Sequence, residues 1–128
     1  MVSIILVAHG EIATSIFEVA KTIMPDFSDD VQVVNDCERT SELEANINTA
    51  FKKINQNEVL VITDLCGATP DNIVKRLLRK YDIAIISGLS LPMLLKALNY
   101  REKPLNELVK MVCASANQSV KLCFGESK

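Results

Sequence analysis

The sequence predicts an α/β fold with three layers, in which helices cover both faces of a mostly parallel central sheet. Apolar runs of strand length alternate with stretches of helical periodicity along all 128 residues. Such alternation is typical of parallel strands connected by helices. The first, third and fourth apolar runs are almost continuous, as expected of strands that are buried on both faces.

Five apolar runs have the length of strands: Val2 to Ala8, Val31 to Val34, Glu58 to Thr63, Ile83 to Ser87 and Val120 to Phe124. The chain shows no internal repeat and no linker. We therefore expect a single domain over residues 1-128.

The first two predicted helices follow the first two strands. Glu11 to Met24 has apolar residues at helical spacing, and we expect these to face the core: Ile12, Ile16, Val19, Ala20 and Ile23. Ser41 and Glu44 have the spacing of a capping box, which predicts that the second helix begins at Ser41.

Three further helices are predicted in the second half of the chain. Thr69 is expected to cap the third helix, with Pro70 at its first position. The segment Ser90-Leu91-Pro92 predicts the start of the fourth helix. Leu105 to Ala116 is predicted to form the fifth.

Composition excludes several classes of function. The net charge is −2 and no stripe of basic residues is visible, so nucleic acid is not expected as a partner. The four cysteines form no C-x-x-C pair and His9 is the single histidine, which disfavours a metal site. The four cysteines are expected to be reduced thiols of a cytoplasmic protein. No signal peptide or membrane-length apolar run is present, so contact with a membrane is expected only through partner proteins.

Two candidate site residues stand where predicted strands end. His9 and Gly10 follow the first strand, and Asp64 follows the third. Ligands of open α/β sheets bind beyond the carboxyl ends of the strands, where the strand order reverses. If the first and third strands are neighbours, His9 and Asp64 lie in the same crevice.

This pairing favours nucleophilic chemistry at the imidazole. A carboxylate that accepts a hydrogen bond from one ring nitrogen fixes the tautomer and leaves the lone pair on the other nitrogen. The predicted helix after Thr69 begins at the same edge, and a helix N-terminus favours an anion such as phosphate. Gly10 and Gly67 allow close approach to the backbone. Together these features suggest phosphoryl transfer through a phosphohistidine.

Other interpretations of the same residues stay open. His9 could hydrogen-bond a nearby carbonyl without any reaction, and Asp64 could only satisfy a turn. Glu11 could shift the pKa of His9 or simply lie favourably in the first turn of a helix. Cys66 and His9 could form a nucleophilic pair. No phosphate loop of the G-x-x-x-x-G-K-[ST] type and no G-x-G-x-x-G is present, so no nucleotide cofactor is expected.

Three segments together resemble the enzyme IIA component of the mannose-type sugar phosphotransferase system. They are the strand that ends in His9-Gly10, the stretch Val61 to Asn72 and the segment Gly88 to Leu94. The resemblance extends over essentially the whole chain. The family pattern commonly has a second glycine where this sequence has Ala68.

The resemblance implies a role for each of these residues. His9 would carry the phosphoryl group on the ring nitrogen farther from the backbone, and Asp64 would orient the ring. The phosphate-contacting residues would be Gly10, Gly67, Ala68 and Thr69.

The resemblance also implies partners. The phosphocarrier HPr would be the donor and a separate IIB protein the acceptor. The family is typically a homodimer in which a C-terminal strand, here Val120 to Phe124, pairs antiparallel with the partner's sheet. A regulatory protein controlled by phosphorylation of His9 and a phosphotransfer subunit of dihydroxyacetone kinase are the alternatives.

Overall fold

Four parallel strands form the centre of the computed structural model, which describes residues 1–36, 39–65, 68–76 and 80–125, with residues 36, 40 and 68–71 described by their backbone alone. The strands are β1 (Ser3–His9), β2 (Val31–Asp36), β3 (Glu58–Thr63) and β4 (Asp82–Ser87). The helices are α1 (Ile12–Ile23), α2 (Thr40–Lys53), α3 (Ala68–Lys75), α4 (Leu91–Tyr100) and α5 (Leu105–Ser119). A short 3-10 turn, which the sequence did not predict, spans Pro25–Phe27. These bounds confirm the predicted α/β class.

The strand order of the sheet is β2-β1-β3-β4, and every pair is parallel. From β1 the chain moves first to β2 on one side and then to β3 on the other. The strand order therefore reverses between β1 and β3, which is where α/β sheets bind ligands.

The two faces of the sheet support separate apolar cores. In β1, Ile4 and Leu6 pack on the side of α1, α4 and α5, whereas Ile5 and Val7 pack on the side of α2 and α3. All four side chains are fully or almost fully buried. The period of two in a strand sends successive side chains to opposite faces, so a strand buried on both faces needs a continuous apolar run.

The predicted buried face of α1 is partly wrong. Ala13 and Ala20 are the buried residues of this helix. Ile12, Val19 and Ile23 are 45%, 47% and 53% exposed. At 3.6 residues per turn, the centre of the buried face, between Ala13 and Ala20, is rotated by roughly 70° from the centre of the expected face. Ile16, which was also predicted to face the core, is partly buried and packs against it, as does Phe17.

Two helix starts also differ from the prediction. The helix α2 begins at Thr40 with Arg39 at its N-cap, so Ser41 does not cap it. Glu44, which the capping box would have used, instead forms an ion pair with Arg76 (2.6 Å). The helix α3 begins at Ala68, two residues before the predicted first position at Pro70. The cap predicted at Ser90 is confirmed, because its Oγ accepts a hydrogen bond from Met93 N (3.3 Å).

The predicted strand from Val120 to Phe124 does not form within this chain. These residues follow α5 without strand pairing, and Val120, Leu122 and Phe124 are 84%, 80% and 86% exposed. A strand exists only when its backbone groups pair with another strand. None of the four described strands pairs with this segment.

The amino end of the sheet is closed by Arg101, whose side chain is 3% exposed. Its guanidinium donates hydrogen bonds to four backbone carbonyls: those of Val2 (3.0 Å), Phe27 (3.3 Å), Asp30 (2.8 Å) and Asp29. This arrangement joins the start of β1, the segment before β2 and the end of α4.

Asp30 completes the same closure with its own side chain. One carboxylate oxygen accepts a hydrogen bond from the Ser3 hydroxyl and the other accepts one from Asn55 N (3.1 Å). Its φ of 56° lies in the left-handed region, which is uncommon outside glycine. Within the described ranges, no helix is long and apolar enough to cross a membrane.

Candidate active site at the carboxyl end of the sheet

The structure brings His9 and Asp64 together, as the strand ends predict. His9 is the last residue of β1, and Asp64 directly follows β3. These two strands are hydrogen-bonded neighbours, with Val7 opposite Thr63. The expected crevice therefore lies at the point where the strand order reverses.

Asp64 holds His9 by two contacts with the same carboxylate oxygen. The His9 backbone N–H donates to Oδ2 (2.9 Å), and the His9 ring nitrogen Nδ1 lies 2.8 Å from it. The other oxygen, Oδ1, accepts a hydrogen bond from Leu65 N (2.8 Å). Asp64 thus accepts a hydrogen bond within the turn after β3 and also contacts the imidazole ring of His9, so the two interpretations of this residue are compatible.

The pKa of Asp64 lies below its usual value. Partial burial raises it, but the hydrogen bonds from His9 N–H, the His9 ring and Leu65 N–H lower it by more. The carboxylate is therefore ionised at neutral pH and can only accept hydrogen bonds. It follows that Nδ1 of His9 carries the proton, and that in the neutral ring Nε2 carries the lone pair.

The two residues of the pair differ in exposure. The His9 side chain is 61% exposed, whereas that of Asp64 is 15% exposed. The orienting group is thus shielded by the protein, while the imidazole faces solvent. The imidazole is therefore far more accessible from outside than the carboxylate that contacts it.

Gly10 turns the chain from β1 into α1. Its φ of 53° is in the left-handed region, and a Cβ built there would have no atom within 4 Å. The glycine is therefore required by the backbone conformation and not by crowding. Glu11 follows as the N-cap of α1 and makes no side-chain capping bond.

Thr63 is a site-supporting residue that the sequence reasoning missed. It is 2% exposed, and its carbonyl accepts hydrogen bonds from the N–H groups of Gly88 and Leu89 (both 2.9 Å). Its hydroxyl lies 3.1 Å from the Leu65 carbonyl and 3.1 Å from Ser87 Oγ. Thr63 thereby fixes the turn that carries Asp64. The only signal in the sequence is a hydroxyl residue at the end of an apolar strand.

Asp36 is a second residue that sequence reasoning missed. The register of β1 and β2 places it directly beside His9. The prediction ended this strand at Val34, because the polar residues Asn35 and Asp36 did not extend the apolar run. Asn35 accepts a hydrogen bond from Thr14 Oγ1 (3.2 Å), which joins the end of β2 to α1.

The remaining predicted site residues are described in part. Cys66 and Gly67 lie outside the described residues, and so does the proposed pairing of Cys66 with His9. Ala68 and Thr69 form the first turn of α3, for which the backbone alone is described. The helix thus begins four residues after Asp64, on the same edge of the sheet.

A family comparison identifies the chain. The sequence profile of the family described as "PTS system fructose IIA component", or EIIA-man, matches residues 3–119. This match includes both His9 and Asp64 and covers all four strands. The chain belongs to the EIIA-man family.

Solved structures agree with the EIIA-man assignment. A phosphotransferase system component EIIA from Streptococcus agalactiae is 26% identical, with a TM-score of 0.82, 94% of this chain covered and 96% of that one. A mannose/sorbose-specific IIA subunit from Enterococcus faecalis shares 22% identity, with a TM-score of 0.81 and coverage of 98% and 97%. A IIA protein associated with the fucose utilization operon of Streptococcus pneumoniae shares 23% identity, with a TM-score of 0.76 and coverage of 94% and 92%. This EIIA-man protein is thus a mannose-type IIA component of the phosphotransferase system, a class that acts in phosphoryl transfer during sugar uptake.

Proposed function

We propose that this EIIA-man protein is a phosphocarrier that accepts a phosphoryl group from phospho-HPr on Nε2 of His9 and passes it to a separate IIB protein. The observation that carries this proposal is the 2.8 Å contact between Nδ1 of the exposed His9 ring and the carboxylate of Asp64. It supports a nucleophilic imidazole with a fixed tautomer.

The transfer step follows from this geometry. The Nε2 lone pair attacks phosphorus, a new N–P bond forms, and the N–P bond to the donor histidine breaks. The bonding electron pair returns to the donor nitrogen, so no proton needs to move in the step itself. The proton on Nδ1 stays in its hydrogen bond to Asp64, and the carboxylate offsets the positive charge that develops on the ring. Transfer to the IIB protein is the same step with His9 as the leaving group.

Backbone groups near His9 would hold the phosphoryl oxygens. The first turn of α3 begins at Ala68, and helix N-termini carry N–H groups without intrahelical partners. Gly10, Gly67, Ala68 and Thr69 are our candidates for this contact. Ala68 offers the same backbone N–H as the glycine that is common in the family, so this departure is compatible with the role.

We also propose a homodimer in which Val120 to Phe124 of one copy adds an antiparallel strand to β4 of the other. β4 lies at an edge of the sheet, and Ile83 and Ile85 are partly exposed there. The apolar residues of the C-terminal segment alternate with Lys121 and Cys123, which is the pattern of a strand with one buried face.

The variant Leu122→Lys should convert dimer into monomer in light scattering, while Lys121→Gln should leave the dimer intact. A wild type that is monomeric at micromolar concentration would disprove this assembly.

The phosphocarrier role is tested by intact mass after incubation with phosphoenolpyruvate, enzyme I and HPr. We expect one added phosphoryl group on the wild type and none on His9→Gln. The group should be stable in alkali and lost in acid, as a phosphohistidine is. An unmodified wild type, or an equal gain on His9→Gln, would refute the proposal.

A further inference from the structure

The hydroxyl groups of Thr63 and Ser87 lie side by side at the ends of two neighbouring strands. The two residues are paired in the register of β3 and β4, and their side-chain oxygens are 3.1 Å apart. Thr63 Oγ1 is also 3.1 Å from the carbonyl oxygen of Leu65. Thr63 is buried and Ser87 is half-buried, so these oxygens depend largely on one another for hydrogen bonds.

The number of available protons gives this group of oxygens a direction. A hydroxyl donates one hydrogen bond, whereas a carbonyl oxygen only accepts. Thr63 therefore donates to Leu65, because the lone pairs of their two oxygens would otherwise face each other at 3.1 Å. Its single proton is then used, so the hydroxyl of Ser87 donates to Thr63 Oγ1. A hydroxyl that accepts a hydrogen bond is a stronger donor, so Ser87 strengthens the bond from Thr63 to Leu65.

This chain of hydrogen bonds leads to the carboxylate that contacts His9. Leu65 is held by both of its backbone groups, since its carbonyl accepts from Thr63 and its N–H donates to Asp64 Oδ1 (2.8 Å). The other oxygen of the same carboxylate, Oδ2, lies 2.8 Å from Nδ1 of His9. Because Leu65 holds one oxygen of Asp64, the position of the other oxygen depends on how firmly Leu65 is held.

We propose that Ser87 is a positioning residue for phosphoryl transfer at His9, acting through Thr63 on the turn that carries Asp64. This role rests on the phosphocarrier function proposed above. A rigid turn keeps the carboxylate on Nδ1, so the neutral ring keeps its proton there and its lone pair on Nε2. Without Ser87 the turn has more freedom, and the ring spends more time with its proton on Nε2, where it cannot attack phosphorus.

The hydroxyl of Thr63 can be removed without separating the two strand ends. The Thr63 carbonyl accepts hydrogen bonds from the N–H groups of Gly88 and Leu89 (both 2.9 Å). These bonds use the backbone and therefore remain when the side chain changes. A substitution of the hydroxyl thus alters the contact with Leu65 and leaves the connection between β3 and β4 in place.

The test removes one hydroxyl at a time. Ser87→Ala removes the first donor, Thr63→Val removes the second, and Thr63→Ser keeps it. Thr49→Val is the matched control, because its hydroxyl also donates to a backbone carbonyl, that of Ala45 (2.9 Å), but at an exposed position of α2. Initial rates of phosphorylation are measured against the concentration of phospho-HPr. The tautomer is measured by nitrogen NMR of the ring in alkaline solution, where His9, the single histidine, gives the only imidazole signals.

The expected effect is on kcat and on the tautomer. We expect kcat to fall about tenfold for Thr63→Val and about threefold for Ser87→Ala, with KM within about twofold of wild type, which is the scale of one lost hydrogen bond. In both variants the share of rings protonated at Nε2 should rise. Thr63→Ser and Thr49→Val should match wild type in rate and tautomer. In the double variant, Ser87→Ala should add nothing to Thr63→Val, because the hydroxyl through which Ser87 acts is gone.

Two results would overturn the role of Ser87 and leave the phosphocarrier function standing. One is a Ser87→Ala protein whose kcat and tautomer equal those of wild type, and this variant decides the question by itself should Thr63→Val fail to fold. The other is a further loss of rate when Ser87→Ala is added to Thr63→Val, since Ser87 would then act by another route. A wild type that takes no group from phospho-HPr would instead refute the phosphocarrier function, and the role of Ser87 in transfer with it.

Discussion

The two ends of the same sheet carry polar groups in opposite situations. At the carboxyl end, the His9 side chain is 61% exposed and is held by Asp64. At the amino end, Arg101 is 3% exposed and donates to four carbonyls. Buried polar groups in folded proteins are normally hydrogen-bonded, as the guanidinium of Arg101 is. The exposed ring of His9 can instead be reached from solvent. Hydrogen bonds therefore fix the geometry at both ends of the sheet. The two ends differ in exposure, because Arg101 is enclosed by the protein and the His9 ring is not.

Charge is balanced differently at the two ends. Burial lowers the pKa of Arg101, and the nearby carboxylates of Asp30, Glu102 and Asp29 act in the opposite direction. Arginine nevertheless stays protonated in proteins, so this cation persists. Asp64 instead has its pKa lowered by the hydrogen bonds it accepts. At the amino end, Arg101 is thus permanently charged. At the carboxyl end, the ionised carboxylate of Asp64 lies beside the imidazole of His9.

The largest expected effect is a loss of stability when Arg101, at the amino end of the sheet, is replaced. Arg101→Met would leave several buried carbonyls without donors, so we expect the free energy of unfolding to fall by about 3 kcal/mol or more. Lys103→Met, which removes an exposed charge two residues away, should change it by less than about 0.5 kcal/mol. Urea denaturation measures both. At a temperature where the protein is folded, Arg101→Met should still accept a phosphoryl group at the wild-type rate. A slow but stable variant would mean that the two ends are coupled.

The next largest effect is expected on the rate of phosphorylation when Asp64, at the carboxyl end of the sheet, is replaced. Asp64→Asn removes the charge beside the His9 ring, so we expect phosphorylation by phospho-HPr to slow about 10- to 100-fold, the range found when a group that orients a metal-binding histidine is lost. The free energy of unfolding should change by less than about 1 kcal/mol. Asp82→Asn, an exposed substitution at the start of β4, is the control and should keep the full rate. An unchanged rate in Asp64→Asn would remove the orienting role.

A smaller effect is expected at the turn after His9. Gly10→Ala forces an alanine to adopt a φ of 53°, which costs about 1 kcal/mol in stability. Space is not the cause, because a Cβ there has no atom within 4 Å. Gly125→Ala also has open space, but without a positive φ, and should be neutral. Equal stability of the two variants would show that the backbone at Gly10 relaxes.

The smallest effect is the acid dependence of the His9–Asp64 pair. Because the pKa of Asp64 is lower in the folded protein than in the unfolded chain, its ionised form stabilises the fold. That contribution is complete above the ordinary aspartate pKa of about 4 and is lost as the pH falls through the lowered value. The stability difference between wild type and Asp64→Asn should therefore shrink between pH 7 and pH 3. A difference that stays constant across this range would mean that Asp64 is not stabilised in its ionised form.

Much of the fold and the central pair of the site could be predicted from the sequence. Buried parallel strands require continuous apolar runs, so β1, β3 and β4 were found within one residue of their observed bounds. His9 and Asp64 follow two such runs, and the alternation of strands and helices implies that both stand at one edge. The roles of Gly67 and of the Thr69 side chain stay predictions.

Other predictions were wrong, and some residues were missed, because these features depend on contacts with residues distant in the sequence. The periodicity of α1 shows a broad apolar arc, but it does not show which part of the arc faces the sheet. The capping box at Ser41 is locally plausible, yet Glu44 pairs with Arg76, which directly follows α3. Thr63 gave little signal, since its hydrogen bonds depend on the neighbouring strand β4 and on the turn after β3.

The sequence by itself therefore determined the class of fold, the strands and the pairing of a histidine with a carboxylate. These follow from local patterns of apolar and polar residues, which a chain expresses wherever it folds. Only the tertiary structure decided which apolar residues of α1 stay exposed and which carbonyls Arg101 binds. It also decided that the N–H of Leu105, at the start of α5, donates a hydrogen bond to the Glu58 side chain (3.1 Å). The physical reason is that burial and hydrogen bonding depend on groups far apart in the chain, whose meeting no local pattern encodes.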